Sequence, residues 1–200
     1  MLTEEQVIGN HNCNYSAPLL SLIKMKKLET EEIIRITTEE FKAAEKMPLT
    51  IVLDGIRSLN NVGSIFRTSD AYRVEKLMLC GITATPPNAE IHKSALGAEF
   101  SVDWESFDDT TEAVRKLHGQ GYEIWAVEQA TDSVWLDDFN FDKEKRYAIV
   151  MGNEVNGVQQ EVIDMCDGCI ELPQYGTKHS LNVAVTTGIV IYNFASHLLK

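Results

Sequence analysis

Three loops in this sequence carry polar side chains of the types that do chemistry. The first, DGIRSLNNVGSIFRTSD, follows an apolar strand and offers Asn61 and Arg67 on one predicted helix. An asparagine can orient a hydroxyl by hydrogen bonds, and an arginine can bind a phosphate and stabilise an oxyanion that develops beside it. The same two residues also fit an N-capping asparagine and an ordinary surface arginine, so this loop alone does not establish a site.

The second loop, GNEVNGVQQE, follows another apolar strand and places Glu154 between Gly152 and Gly157. A carboxylate held in a turn can accept several hydrogen bonds or pair with a cation. Glycines are common in turns for steric reasons alone, and the spacing is not the G-x-G-x-x-G pattern of dinucleotide sites. Dinucleotide binding of the usual kind is therefore disfavoured.

The third loop, LPQYGTKHSLNV, joins a strand that ends at Leu172 and Pro173 to a long apolar helix. Ser180 is predicted to cap this helix, with Leu181 and Asn182 in its first turn. Each residue also has a purely structural interpretation, in which the serine caps, the leucine packs and the asparagine is solvated. The appearance of polar residues after three separate strands nevertheless favours a shared pocket.

The elements that would position these loops alternate regularly. Short apolar runs typical of buried parallel strands occur at residues 49–53, 76–80, 122–127, 147–151 and 169–172. Helical patterns separate them at residues 62–72, 111–118, 158–166 and 180–199. This alternation predicts an α/β domain with a mostly parallel sheet and helices on both faces. Such sheets bind ligands beyond the carboxyl ends of their strands, where the three loops lie.

The N-terminal part of the chain lacks this alternation. Residues 1–27 show no clear periodicity and are predicted to form a poorly ordered arm. Residues 28–47 have apolar side chains at helical spacing and are predicted to form an N-terminal helix with Thr30 as its N-cap. The α/β domain is then predicted to span residues 48–200.

Charge is unevenly distributed along the chain. The formal net charge is -12, yet residues 99–144 alone hold thirteen acidic and three basic residues. Polyanion binding depends on lysine and arginine, so the acidic total predicts a modest affinity for nucleic acid. The rest of the chain is nearly balanced, and a second face can still meet a phosphate backbone. The bases expected on that face are Arg57, Arg67, Arg73, Lys76 and Lys93.

Hydropathy and cysteine content exclude several classes of protein. No apolar run approaches the roughly 18–20 residues of a membrane span, and no secretory signal is visible, so we expect a cytoplasmic protein with no membrane partner. Four cysteines are too few for a disulfide framework. Cys166 and Cys169 form a C-x-x-C without a second ligand pair, so no metal site is predicted there and a turn is the favoured interpretation.

Taken in order, the three loops resemble the motifs of a known enzyme family. N-x-G-x-I-x-R at residues 61–67, G-x-E-x-x-G at 152–157, and L-P-x-x-G followed by S-L-N-V at 172–183 are similar to the three motifs of the SpoU (TrmH) family of SPOUT RNA 2'-O-ribose methyltransferases. The resemblance runs from about residue 48 to the C-terminus. One such motif is weak evidence, whereas three in order are specific.

The resemblance implies a C-terminal trefoil knot, S-adenosyl-L-methionine as the cofactor and a homodimer. Family correspondence places the cofactor against Gly152, Glu154, Leu172, Pro173 and Leu181. It also implies an RNA partner, with tRNA ahead of rRNA because the short form of the chain resembles the tRNA-modifying members.

The resemblance further implies a catalytic centre made of Arg67, Asn61, Glu154, Ser180 and Asn182. In this family the arginine that matches Arg67 is held to activate the ribose hydroxyl. A guanidinium is a poor base, so we favour phosphate binding and oxyanion stabilisation for Arg67, with a phosphate oxygen or transient deprotonation of Arg67 as open routes for the proton. Asn61 would orient the ribose or Arg67, Glu154 would pair with Arg67, and Ser180 and Asn182 would shape the site by hydrogen bonds.

Two other functions stay open at this point. The chain can be a non-catalytic RNA-binding or assembly module that keeps the knotted fold. It can also be a methyltransferase that acts on a small molecule, which its acidic charge makes conceivable. The joint presence of the five candidate catalytic residues favours the RNA methyltransferase.

Overall fold

The computed structural model of the chain describes residues 26–33 and 35–199. The chain divides into two units, Met1–Arg35 and Ile36–Lys200. In the first unit Thr30–Glu32 is a 3-10 turn, and most of the predicted N-terminal arm, residues 1–25, lies outside the described residues. The elements described below belong to the second unit.

One parallel sheet of seven strands organises the second unit. Its spatial order is β3-β2-β1-β6-β4-β7-β5, and every pairing between neighbours is parallel. The strands are β1 (Met47–Asp54), β2 (Val74–Cys80), β3 (Trp104–Phe107), β4 (Tyr122–Val127), β5 (Val134–Trp135), β6 (Arg146–Met151) and β7 (Gly168–Glu171). The predicted α/β class with a mostly parallel sheet is therefore confirmed.

Helices cover both faces of this sheet. The helices are α1 (Thr38–Ala43), α2 (Leu59–Ala71), α3 (Ala89–Ala95), α4 (Ala98–Ser101), α5 (Thr110–Gly119), α6 (Gln160–Ile163) and α7 (Val183–Leu198). Successive side chains of a strand point to opposite faces, so Ile51 and Leu53 of β1 join one core with α2, α3 and α7, while Val52 joins a second core with α5 and α6. Burial on both faces explains why β1 and β6 read as continuous apolar runs.

The strands that the sequence did not predict are both edges of the sheet. β3 reads WESF and β5 has two residues, and none of the side chains of either strand is fully buried. An edge strand with one exposed face lacks the apolar run by which buried strands are found. The short helices α3 and α4 were also not predicted, because seven and four residues carry too little periodicity.

The predicted helix over residues 28–47 is wrong in extent. The α-helix begins at Thr38 and ends at Ala43, and its N-cap is Thr37 instead of Thr30. Thr37 Oγ1 accepts a hydrogen bond from Glu40 N at 3.1 Å, and Glu40 Oε2 accepts one from Thr37 N at 2.7 Å. This capping box starts the helix late, and the T-x-x-E signal was present in the sequence.

The predicted helix over residues 158–166 is also shorter, since α6 covers only Gln160–Ile163. The chain turns after it because Asp167 is held by β4: Asp167 N donates to Ile124 O and Ile124 N donates to Asp167 Oδ2, both at 2.7 Å. These contacts join distant parts of the sequence, so local periodicity does not reveal them. Among the described helices, none is long and apolar enough to cross a bilayer.

Candidate active site

A chain of hydrogen bonds joins the three polar loops at the carboxyl edge of the sheet. Asn182 Nδ2 donates to Asn61 Oδ1 at 3.1 Å, and Asn61 Nδ2 donates to Glu154 Oε1 at 2.9 Å. Each of the three residues comes from a different loop, and we call them the Asn182–Asn61–Glu154 relay. The structure thus brings together three side chains that the sequence singled out separately.

Asn182 holds one end of the relay and also begins α7. Its Oδ1 accepts hydrogen bonds from Ala184 N at 2.9 Å and Val185 N at 3.3 Å, so Asn182 is the N-cap of this helix. The prediction that Ser180 caps the helix is therefore wrong, and Ser180 lies two residues before the cap in an exposed turn. Because the backbone donors fix Oδ1, the amide nitrogen of Asn182 must face Asn61.

Glu154 holds the other end of the relay. Its carboxylate also accepts hydrogen bonds from the backbone N–H groups of Arg57 at 3.3 Å and Ser58 at 3.4 Å. Partial burial alone would raise the pKa of Glu154, but these bonds, together with those from Asn61 and from its own backbone N–H, lower the pKa below its ordinary value. A lowered pKa stabilises the fold above the pKa of the unfolded chain, and this contribution is lost as pH falls through the folded value.

Arg67 lies on α2 but outside the relay. It is six residues beyond Asn61, which corresponds to about 9 Å along the helix axis. Its side chain is exposed, and in the described part of the chain it forms no hydrogen bond or ion pair. The expected pair between Arg67 and Glu154 is absent there, because Glu154 is bound by Asn61 and by backbone groups.

The relay borders a cleft of about 610 Å³. Of the predicted site residues, the cleft is lined by Gly152, Glu154, Leu172, Ser180, Leu181 and Asn182. Arg67, Asn61 and Pro173 are not among its lining residues. Met151, Ile170 and Leu172 give the cleft a buried apolar floor at the ends of β6 and β7.

The loop after β6 is tightly packed beside this cleft. A Cβ built on Gly152 would overlap the backbone of Gly157, and a Cβ built on Gly157 would overlap Glu128 Oε2. Gly157 also has a φ of +68°, in the left-handed region that favours glycine. The two glycines are therefore required by close approach of the chain, which makes this loop a fixed wall of the cleft.

Glu128 and Gln129 are among the cleft residues that sequence reasoning missed. Glu128 Oε2 accepts a hydrogen bond from Val158 N at 2.9 Å, and Gln129 Nε2 donates to His179 O at 3.0 Å. One residue thus holds the second loop and the next residue holds the third. Both follow β4 directly, so the rule that located the other loops at strand ends also applies to them.

The charges that face the cleft are mainly negative. Its ionisable lining side chains are Glu128, Glu154, Glu171 and His179, and among the described residues no lysine or arginine lines it. A site for a phosphate-bearing ligand normally offers cations or free backbone N–H groups. A cleft with carboxylates and an apolar floor suits a ligand that carries a positive charge next to an apolar ring.

Cys166 lies in the turn between α6 and β7, as predicted, whereas Cys169 is the second residue of β7. The pKa of the Cys166 thiol is raised to about 12, mainly by burial and further by the nearby Cys169 and Asp167. A thiol that stays protonated is a poor nucleophile and a poor metal ligand. Within the described residues, no group of three or more His, Cys, Asp or Glu side chains is arranged to hold a metal ion.

An all-parallel α/β domain with its polar residues at the carboxyl edge has the form of a ligand-binding α/β enzyme. Comparison with known families makes the class specific: the SpoU rRNA Methylase family matches residues 48–192. The chain therefore belongs to the SpoU rRNA methylase family, and the resemblance seen in the sequence is confirmed.

Individual relatives agree with this assignment. The chain is 30% identical over 182 residues to a 23S rRNA (guanosine-2'-O-)-methyltransferase of Vibrio parahaemolyticus. The aligned region covers 91% of this chain and 70% of that protein. It is also 30% identical to a tRNA (guanosine(18)-2'-O)-methyltransferase of Aquifex aeolicus, over 84% of this chain and 78% of that one.

Solved structures agree as well. The TrmH/SpoU tRNA modifying enzyme of A. aeolicus has a TM-score of 0.69 at 28% identity, with 80% of this chain and 79% of that one covered. An AdoMet-bound rRNA methyltransferase of Sinorhizobium meliloti has a TM-score of 0.71 at 27% identity, over 80% of this chain and 61% of that one. The chain thus spans less than two thirds of the S. meliloti protein.

Proposed function

We propose that this chain is an S-adenosylmethionine-dependent RNA methyltransferase that transfers a methyl group to a ribose 2'-hydroxyl. The observation that carries the proposal is the Asn182–Asn61–Glu154 relay. It joins the three loops whose motifs characterise the family, at the edge of the sheet where α/β enzymes bind ligands. The relatives named above methylate guanosine 2'-oxygens of 23S rRNA and of tRNA.

The residues of the cleft fit the cofactor. A volume of about 610 Å³ lies within the range of roughly 300–1,000 Å³ for small-molecule sites. The apolar floor suits the adenosine part, and the carboxylates suit a sulfonium, which carries a positive charge and no phosphate. S-adenosylmethionine supplies an electrophilic methyl group. Of the residues that the family resemblance assigns to the cofactor, Gly152, Glu154, Leu172 and Leu181 line the cleft, whereas Pro173 does not.

The chain's own residues then have two tasks. The first is to hold the ribose 2'-oxygen in line with the methyl group, and positioning of this kind is worth about 7–11 kcal/mol. We assign this task to Asn61, because the relay uses one of its two amide N–H groups and one of its two acceptor positions. The remaining donor and acceptor positions are available to a hydroxyl. Ser180 and Asn182 line the cleft, and Asn182 is hydrogen-bonded to Asn61.

The second task is to stabilise the charge that develops as the hydroxyl loses its proton. We assign it to Arg67, which has no ion-pair partner among the described residues and is free to bind the phosphate next to the ribose. The Arg67 guanidinium, when bound to that phosphate, places a positive charge next to the oxyanion. The proton then leaves to a phosphate oxygen or to solvent, since a guanidinium is a poor base.

We also infer a homodimer and a trefoil knot. Val185, Ile189 and Tyr192 lie at helical spacing on one side of α7 and are 53%, 40% and 61% exposed. α7 packs beside α2, where the rings of Tyr72 and Tyr192 meet edge to face at 6.2 Å. A second copy on this side would therefore lie beside Tyr72, at the end of α2. For the knot, the supporting feature is the sheet order, in which β7 lies between β4 and β5 and leads straight into the third loop.

The substrate RNA is proposed from the relatives. One acts on 23S rRNA and another on tRNA at the same identity, and this chain covers more of the tRNA enzyme, 78% against 70%. We therefore propose tRNA ahead of rRNA. Incubation with labelled cofactor and total RNA from cells that lack this protein, followed by mapping of the methylated ribose, identifies the RNA and the nucleotide.

The decisive test of the catalytic assignment is Arg67→Ala. We expect cofactor affinity measured by calorimetry to be unchanged and methyl incorporation into RNA to fall about 100- to 1,000-fold, the loss typical of removing one oxyanion donor. The matched control is Arg115→Ala, which removes an exposed arginine from α5 on the other face of the sheet. Retained turnover in Arg67→Ala would exclude Arg67 as the stabilising group.

Measurements of cofactor binding and methyl transfer by the wild-type chain distinguish the proposed function from the two alternatives. A wild-type chain that binds no S-adenosylmethionine would instead be a non-catalytic RNA-binding or assembly module. Methyl label that appears in a small metabolite and never in RNA would make the chain a small-molecule methyltransferase.

A further inference from the structure

The third loop has an outer side that the proposed cofactor site does not use. Residues 172–182 join β7 to α7, and their inner side, which includes Gln174, His179 and Ser180, lines the cleft. On the same turn Tyr175 is 96% exposed, the highest value among the exposed large hydrophobic side chains, and Lys178 is exposed as well. An exposed aromatic side chain next to an exposed lysine indicates a surface that binds another molecule.

Several bases of the described chain are neutralised by carboxylates, whereas those near this turn, like Arg67 and Arg115, are not. Lys76, Lys93, Lys116, Lys145 and Arg146 each form an ion pair with a glutamate. Lys178 and Arg57 form none with any residue that the structure describes, although the chain carries a net charge of -12. Positive charge that is not neutralised within the chain is available to an external anion.

Arg57 adjoins the cleft through its backbone, and its side chain is exposed. Its backbone N–H donates to Glu154, which is linked through Asn61 to Asn182 at the end of the turn. Gln129 fixes the turn from the other side through its bond to His179 O at 3.0 Å. Tyr175 and Lys178 thus lie on a turn that lines the cleft, and the backbone of Arg57 is bound to Glu154, another lining residue. We call Tyr175, Lys178 and Arg57 the entrance surface.

We propose that the entrance surface binds single-stranded RNA on both sides of the methylated nucleotide, with Tyr175 stacked on an unpaired base and Lys178 and Arg57 bound to flanking phosphates. This inference rests on the proposed function and names its RNA-binding residues. Single-stranded RNA is recognised by stacking of bases on aromatic rings combined with cations along the backbone. The surface also explains how so acidic a chain binds a polyanion, because the attraction is confined to one place.

The test measures the affinity of the full-length chain for a fluorescein-labelled single-stranded RNA of mixed sequence, over a series of salt concentrations. Tyr175→Ala is expected to weaken binding about 5- to 150-fold, the equivalent of roughly 1–3 kcal/mol for one stacked base, and Tyr175→Phe is expected to bind like the wild type. Lys178→Ala and Arg57→Ala should each reduce the slope of log affinity against log salt by about 0.7.

Two controls match these variants. Phe100→Ala removes another exposed aromatic ring, and Arg115→Ala removes another exposed positive charge; both are expected to leave the affinity and the slope unchanged. Cofactor affinity should be the same in all variants, because the substituted side chains do not line the cleft.

Three results would overturn the inference: unchanged RNA binding by Tyr175→Ala and Lys178→Ala, loss of cofactor affinity in place of RNA affinity, or a change in oligomeric mass, which would mean that a second copy covers Tyr175. Failure of the proposed function looks different. In that case the wild type transfers no methyl group to RNA, whatever the variants bind.

Discussion

Asn61 is the middle residue of the relay, since it accepts from Asn182 and donates to Glu154. Its position on α2 is fixed by the N-cap Ser58, whose Oγ accepts from Asn61 N at 3.3 Å. One amide side chain therefore connects the starts of two helices to the loop after β6. At the scale of single residues, the connection between the three loops depends on this side chain.

Asn61→Leu removes both hydrogen bonds while keeping a similar size. We expect the pKa of Glu154 to rise, because one of the donors that lower it is lost. We also expect the rate of methyl transfer to fall about tenfold, because a hydrogen bond to a charged group is worth about 1.5 kcal/mol. Carboxyl titration by NMR gives the pKa. Asn60→Leu, at the exposed neighbouring position, is the control. An unchanged pKa of Glu154 would contradict the relay.

The sequence located most individual site residues but not their contacts. Asn61, Glu154 and Asn182 were found because polar residues after parallel strands share one edge of the sheet. Ser180 was predicted as the N-cap of α7, but Asn182 is the N-cap in the structure. The sequence could not distinguish the two, because both residue types cap well and the contact of Asn182 with Asn61 depends on the fold. Glu128 and Gln129 carried the same strand-end signal and were overlooked.

At the scale of elements, the loop after β6 is the most constrained part of the cleft. It approaches itself at Gly152 and Gly157 and contacts Glu128 from the loop after β4. Apolar runs predicted β1, β2, β4, β6 and β7 closely, because buried parallel strands have a strong local pattern. The edge strands and the short helices depend on contacts between distant residues, and local pattern does not specify those.

Gly157→Ala tests how rigid that loop must be. The new Cβ overlaps Glu128 Oε2, so the bond from Val158 N is broken, and we expect cofactor affinity to weaken at least about tenfold for a lost charge-assisted hydrogen bond. Gly81→Ala is a matched control, with a φ of +60° and no atom within 4 Å of the added carbon. It carries the same backbone strain of about 1–2 kcal/mol without the overlap. Equal cofactor affinity in the two variants would mean that overlap at the loop has no effect.

At the scale of the whole molecule, the acidic residues and the exposed apolar side chains of the last helix lie in different parts of the sequence. Acidic residues concentrate between positions 99 and 144, whereas the exposed apolar side chains of α7 lie at the other end of the chain. A side of this kind, with few charges, suits association with a second copy. Composition alone showed the charge asymmetry, but the exposed side of α7 required the fold, because the helix is apolar on most of its circumference.

Ile189→Asp tests the dimer. A charge placed at a 40% exposed position is expected to leave the fold intact and to halve the mass measured by light scattering, because an unpaired carboxylate is costly inside an interface. Leu96→Asp, at a 64% exposed position with a φ of +53° that aspartate tolerates, is the control and should keep the mass of the wild type. A monomeric wild type, or a dimeric Ile189→Asp, would exclude the α7 interface.

The fixed polarity of the relay restricts how this site can change over evolutionary time. An aspartate at position 61 would set a second negative charge against Glu154, and a glutamine would be one carbon too long. An aliphatic residue would remove the side-chain donor to Glu154 Oε1 and the acceptor for Asn182 Nδ2. Positions 61, 154 and 182 can therefore diverge only as a coordinated set. In related chains, we expect a substitution at any one of them to be accompanied by substitutions at the other two.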